Sequence, residues 1–509
     1  MDFTSQKIAP IREDRLSAWN AFSGTCGELS RQAKKGCVNC NQRTFTQTQG
    51  CQLILSLVIL TTIRDSVIIV HGPIGCGGGN IAAANGVRAF QRLRDPEAKG
   101  LIWINTNLDE TDVISGGEDK LRAAIIHADA EFKPSAIIVV NSCTPGIIGD
   151  DIDGVAEGLK EQICAKIVPV HCEGFKTKIM ATAYDSIYHG ILRTLIPDKD
   201  RLSPAQSGET EQTWKTYRGS RKINLLNVSS MSRADELELT RLLISLGLEP
   251  RILPCYAHPD DFSTAWDAAL NVSICSTHDD YFTGHLAEKY GIPVVAADIP
   301  VGISGTNKWL KEVAGFFGLE QEADRLIKAE TRKLEEALAP FRSLFKGKRV
   351  YVAGGEIRIF ATAELLAYLG FEIVGLHGFH YDHFVDDLLE NQPGKETLEI
   401  TIGSGQPFEQ SNILKKLKPD LFVGHLGING WAGKHGIPVL AIFGQGANYM
   451  GYSGAFEIAR KLSRILKNPL FTRNIGANTR LPYVSGWYEK DAFAYMEQNE
   501  PRSEMEGSS

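Results

Sequence analysis

Cys76 stands in the run His71-Gly72-Pro73-Ile74-Gly75-Cys76-Gly77-Gly78-Gly79, directly after the apolar run Ser66–Val70. Cys143 stands in Asn141-Ser142-Cys143-Thr144-Pro145-Gly146, directly after Ala136–Val140, and Cys275 ends the run Val272–Cys275. Thiolate is the preferred protein ligand for iron–sulfur clusters. Glycines beside Cys76 let the backbone approach a bulky group closely, because they carry no Cβ. The opposing reading is a buried structural thiol, which is how free cysteine usually behaves. On residue chemistry alone the two readings stand level for Cys76 and Cys143. The chain has 10 cysteines in 509 residues, too sparse and too long for a secreted disulfide scaffold. Cys164, in a helical stretch, and Cys255, at a strand end, lack partners and read as buried structural residues. Cys37-Val38-Asn39-Cys40, with Cys26 nearby, is a lone Cys-x-x-Cys and a weak zinc signal, so it is assigned a local structural role.

Loops that hold such residues need strands to carry them. Continuous apolar runs recur at Ser66–Val70, Leu101–Ile104, Ala136–Asn141, Ile167–Val170, Ile223–Val228, Arg251–Pro254, Val272–Cys275, Val294–Ala297, Arg349–Ala353, Glu372–Gly375, Leu421–Val423 and Val439–Phe443. Continuous rather than alternating runs predict strands buried on both faces of parallel sheets. Amphipathic helices fall between them, including Glu236–Leu246, Phe282–Tyr290, Thr362–Leu369 and Ser453–Leu466. The fold class expected is α/β, with three Rossmann-like domains. Gly291-Ile292-Pro293 and Gly436-Ile437-Pro438 punctuate helix ends before strands in the same manner, so similar units recur. The boundaries expected are an N-terminal extension 1–48, α/β domains 49–215, 216–345 and 346–497, and a disordered tail 498–509. The polar segment Ser203–Gly219 reads as a linker. Ligands of doubly wound sheets bind outside the carboxyl ends of strands, which is where Cys76, Cys143 and Cys275 fall. No Gly-x4-Gly-Lys-Ser/Thr loop is present, and no convincing Gly-x-Gly-x-x-Gly fingerprint.

Composition narrows the class further. The chain is 43% hydrophobic and 23% charged, with net charge −7. No basic stripe favours nucleic acid, and no apolar window reaches the ~18 residues of a membrane span. The start lacks a secretory pattern, so a cytoplasmic location is expected.

Several stretches in order are similar to the α subunit of nitrogenase component 1 and its relatives. They are Gln49-Gly50-Cys51; His71 to Gly77; Thr111-Asp112-Val113-Ile114-Ser115-Gly116-Gly117-Glu118; Cys143 to Ile152; Val168-Pro169-Val170-His171-Cys172-Glu173-Gly174-Phe175; and Cys275 with Gly291-Ile292-Pro293. The gaps between Cys51, Cys76 and Cys143 fit the family's spacing. By that resemblance these three would bind half of an 8Fe–7S P-cluster shared with a β-type sister subunit. Cys275 would bind the terminal iron of a large active-site cofactor, and Cys172 would be structural. An α2β2 assembly is implied. So is a partner Fe-protein reductase, a homodimer with a 4Fe–4S cluster and ATP.

The sequence departs from nitrogenase where the cofactor's other ligand is expected. By count Phe443 takes the place of the metal-binding histidine, and Asn429 that of the homocitrate-contacting lysine. Met180 and Tyr184 take the places of a Gln and a His at the reactive face. Phenylalanine binds no metal, and loss of a cation weakens the case for homocitrate. The cofactor expected is therefore 8Fe–9S–C, without molybdenum or homocitrate. An apolar wall suits a neutral thioether, since a buried charge would have nothing to pair with. Met180, Tyr184 and His383 are the candidate catalytic residues. The run His377-Gly378-Phe379-His380-Tyr381-Asp382-His383 either binds metal, relays protons or is a plain polar loop. Gln445 and Asn448 are further replacement candidates. The resemblance implies reductive C–S cleavage, as in methylthio-alkane reductases, giving methanethiol plus a hydrocarbon. The alternatives are an α-type scaffold for cofactor maturation and a nitrogenase α subunit.

Overall fold

Every apolar run expected to be a strand becomes one. The computed structural model describes residues 5–12, 18–19, 21–35, 50–176, 179, 181–198, 220–296, 298–403, 407–425, 429–444, 446–492 and 494. The linker Ser203–Gly219, the pair Cys37 and Cys40, Met180, Gln445 and the tail 498–509 lie outside those residues. The chain divides into two compact units. The first is drawn from 1–17, 50–336 and 444–456, and the second from 18–49, 337–443 and 457–509.

The first unit contains two four-stranded parallel sheets. One runs in the order Ile102–Asn105, Ser66–His71, Ala136–Asn141, Lys166–His171. Its two central strands are buried along their whole length. Successive side chains of a strand point to opposite faces, and each face has its own core. Ile68, Val70, Ile138 and Val140 pack with Leu53, Leu57, Ile187 and Ile191 on one side. Val67, Ile69, Ile137 and Val139 pack with Leu121, Ile125, Val155 and Leu159 on the other. Each buried aliphatic side chain contributes about 1.5–3 kcal/mol, so the carboxyl ends of these strands are a firm base for loops. The other sheet runs Val294–Val295, Leu270–Ser273, Lys222–Leu226, Glu249–Leu253. Late residues complete this unit. The backbone N–H groups of Tyr449 and Met450 both donate to the buried Asp235 carboxylate at 2.8 Å.

The second unit has a six-stranded sheet in the order Val439–Phe443, Leu421–His425, Arg349–Gly354, Glu372–Gly378, Glu399–Ile402, Phe22–Thr25. The first five are parallel and the last is antiparallel. The edge strand Phe22-Ser23-Gly24-Thr25 has no apolar run to betray it. Its position is set by pairing with Glu399–Ile402 and by a capping box at Thr25, whose hydroxyl accepts from Glu28 N–H. Ala18–Trp19 pairs antiparallel with Tyr381–Asp382. Among the described residues no helix is long and apolar enough to cross a membrane.

Cys164 corrects one expectation. It is exposed, beyond the end of the helix Ile152–Leu159, with its N–H donating to Asp129 at 3.2 Å. The polar residues Lys160, Glu161 and Gln162 give the helix no apolar face to continue, so the thiol is left at the surface.

Candidate metal centre

Three thiols meet at one edge of the first sheet. Cys51 caps the helix Gln52–Leu60, Cys76 lies in the single turn Ile74–Gly77 after its strand, and Cys143 opens the helix Cys143–Ile148. All three are half-buried and free. A Cβ on Gly174 would sit 3.0 Å from the Cys51 Cβ and 3.1 Å from the Cys143 Sγ. Gly174 therefore leaves open a cradle that any other residue would fill. Burial pushes the Cys76 thiol up from its ordinary pKa, as do Cys143 and Cys51 nearby, while a hydrogen bond with Ser142 opposes this. Metal ligation requires thiolate, so a shared cation would draw the protons from all three sulfurs. The donor set and the cradle fit an iron–sulfur cluster.

The surrounding motif residues have visible tasks. His71 Nε2 lies 2.9 Å from Asp150 Oδ2, its Nδ1 lies 3.1 Å from Thr106 Oγ1, and Gly117 N–H donates to Asp150 at 3.1 Å. The His71, Gly116-Gly117 and Asp150 stretches are thus tied into one buried network. In Cys172-Glu173-Gly174-Phe175, Cys172 is fully buried and its Sγ donates to Asn141 O at 3.7 Å. Glu173 accepts from Asn141 Nδ2 at 3.1 Å and pairs with Lys176 at 2.8 Å. Burial opposes its ionisation, yet His171 and Lys176 hold its pKa at about 2. A carboxylate depressed from 4.5 contributes stability that is full above 4.5 and lost as pH falls through about 2. The stability difference between wild type and Glu173→Gln is therefore expected to shrink as pH falls from 4.5 towards about 2. Acid titrations of the two unfolding midpoints check this, and a difference unchanged across that window refutes it.

Cys275 belongs to the other sheet of the same unit. It follows the strand Leu270–Ser273 and caps the helix Ser276–Tyr290, 5% exposed, with its N–H donating to Ser273 Oγ at 3.0 Å. The amino end of a 15-residue helix favours a thiolate. One turn on, the His278 ring stacks on Tyr184 with centroids 4.0 Å apart. Asp279, fully buried, accepts from Tyr188 at 2.8 Å and from Ser273 at 2.7 Å, and burial raises its pKa to about 7.

Two residues of this region carry signals that sequence reading passed over. His278 is three residues after Cys275 in the first turn of a helix, with its backbone N–H donating to the Cys275 carbonyl at 2.9 Å. Arg12 lies in the N-terminal stretch and is fully buried. It donates to Asp185 at 2.9 Å, to Asp280 at 3.2 Å and to the carbonyl of Thr277. It thereby joins the helix of Tyr184 to the helix headed by Cys275. Removing one partner of a buried ion pair costs about 3–5 kcal/mol. Arg12→Met is expected to show a loss of that size in denaturant unfolding. A loss below about 1 kcal/mol, the surface-pair scale, contradicts the reading.

Among the other candidates, Tyr184 is buried beside His278. His383 is 43% exposed and 3.3 Å from Asp386. Phe443 ends its strand and Asn429 begins the helix Asn429–Lys434, though neither side chain is among those described. Cys26 is buried, its pKa pushed up to about 12 by desolvation, and Cys255 is fully buried.

Known proteins were compared with this chain. The family profile described as nitrogenase component 1 type oxidoreductase matches residues 51–467. The nitrogenase iron-molybdenum cofactor biosynthesis protein NifE of Rippkaea orientalis is 28% identical over 436 residues, covering 83% of this chain and 86% of that protein. The nitrogenase molybdenum-iron protein alpha chain of Methanothermobacter marburgensis is 25% identical over 458 residues, covering 85% and 91%. The solved structure of nitrogenase Cp1 at pH 6.5 matches with a TM-score of 0.72 at 20% identity, covering 95% of this chain and 99% of that one, a likeness of fold.

Proposed function

Because the chain belongs to the nitrogenase component 1 type oxidoreductase family, we propose that it is the α-type catalytic subunit of a nitrogenase-like reductase. The observation that carries this reading is the convergence of Cys51 and Cys143 on Gly174, with Cys76 beside them. These three thiols would hold half of an 8Fe–7S P-cluster, and a β-type sister chain would hold the rest. Exposed apolar side chains lie close in sequence to each thiol, namely Ile54, Ile74 and Ile147, and exposed Phe175 follows Gly174. Such a rim on half-buried ligands suits a protein partner. Cys275 would hold an 8Fe–9S–C cofactor that, when bound, supplies the electrons for bond cleavage.

The substrate class proposed is a methylthio-alkane. Its C–S bond is cleaved with two electrons and two protons, so that R–S–CH3 becomes R–H plus CH3SH. Electrons come from an ATP-driven Fe-protein reductase, since this chain has no phosphate loop. The chain's own part is binding and protonation. Tyr184 fixes the His278 ring by stacking, and His278 holds a proton one turn from Cys275. Arg12 keeps the two helices in register.

A second reading has a specific support. The similarity to NifE favours a cluster-carrying scaffold with the same thiols and no turnover. One experiment separates the two. The chain is purified anaerobically with its β-type partner, iron is measured, and thioethers are supplied with the reductase protein, ATP and a reductant. Release of methanethiol with methane from dimethyl sulfide, or with ethane from ethyl methyl sulfide, supports the reductase. Iron retained without turnover, and transferable to an apoprotein, supports the scaffold. A complex without iron refutes both.

A further inference from the structure

The second unit buries three metal-binding groups that no thiol site uses. Glu356 opens the helix Glu356–Leu369 after the strand Arg349–Gly354. His380 lies in the turn between Glu372–Gly378 and Tyr381–Asp382. Parallel pairing of Gly354 with Gly378 brings these strand ends together, and a Cβ on Gly378 would lie 3.6 Å from that of Glu356. Glu356 and His380 are each 2% exposed and Asp382 is fully buried. His380 Nε2 is 2.9 Å from Glu356 Oε1 and 3.5 Å from Asp382 Oδ2. One donor atom from each residue lies within 4.8 Å of the others. The remaining Asp382 oxygen caps Phe384 N–H at 3.0 Å, which fixes the carboxylate's orientation.

Two features separate this from an ordinary histidine–carboxylate pair. Neither ring nitrogen of His380 makes a hydrogen bond of normal geometry, although the ring is aimed at two carboxylates. One N–H cannot serve two oxygens, whereas ligand atoms held about 2.0–2.2 Å from one ion stand roughly 3–3.5 Å apart. The charges agree. A divalent ion with a neutral imidazole matches the charge of the two carboxylates that face the ring. We propose that Glu356, His380 and Asp382 bind one divalent transition-metal ion, of the zinc class, as a structural site. The ion ties the start of a core helix to Tyr381–Asp382, and through its pairing to Ala18–Trp19. The site rests on the second unit's residues alone and is independent of the cluster chemistry proposed above.

The test uses the full-length chain with its partner. The complex is treated with EDTA, repleted with Zn2+ alone and dialysed. One zinc retained per chain is expected, with a raised melting temperature. Zinc-edge anomalous scattering should place the peak among the three side chains. His380→Gln and Glu356→Gln should lose that zinc and its thermal shift while iron content is unchanged. No retained zinc, or a peak elsewhere such as at the thiols, overturns the site and leaves an imidazolium–carboxylate pair. If the variants fail to fold, the wild-type anomalous map decides.

Discussion

Cys275→Ala is expected to abolish turnover and to remove one cluster's iron while leaving the other. The substitution trims a 5%-exposed side chain by a single sulfur atom, so its packing cost is about 1 kcal/mol. The helix Ser276–Tyr290 keeps its tie to the core through Asp279, Tyr188 and Arg12. Loss of the ligand itself exceeds the ~10–100-fold penalty that follows from disturbing an outer partner. Iron analysis, visible absorbance and thioether turnover on the same preparation check this. Unchanged iron and absorbance would sink the proposed assignment of Cys275.

Gly174→Val is expected to strip the other cluster with every cysteine still present. The first added carbon would already lie 3.0 Å from the Cys51 Cβ and 3.1 Å from the Cys143 Sγ. The two further methyl groups enter the space the cluster needs, and the sulfurs sit on elements backed by both faces of a packed sheet. Such elements do not yield cheaply. Cys172→Ala is the comparison. Cys172 is fully buried two residues away, with its thiol on the Asn141 carbonyl, and its loss should spare the iron. Equal iron in the two variants would contradict the cradle.

The architecture was readable because buried parallel strands have an unmistakable composition. Ile-Ile-Val-Val, from Ile137 to Val140, has no other economical reading, and the strand Ala136–Asn141 forms with the bounds expected. Phe22–Thr25 was not readable, because a four-residue edge strand is defined by its neighbour rather than by its own residues. The site divides in the same manner. The cysteines stood out because glycine-rich loops after strands are rarely decorative. Arg12 did not, because a charged residue in an N-terminal stretch looks solvated until Asp185 and Asp280 close around it. Cys164 read as buried because the residue type usually is; its polar surroundings decided otherwise.

Asp235 also bears on how the chain is made. Its two backbone donors, Tyr449 and Met450, are synthesised more than two hundred residues after it. A nascent chain that has emerged only as far as residue 443 has every described strand of the first unit but not the segment whose two backbone N–H groups hydrogen-bond this carboxylate. That unit therefore reaches its final form only after residues 444–456 have been made, and a truncation that removes them is felt in the unit that holds the three thiols.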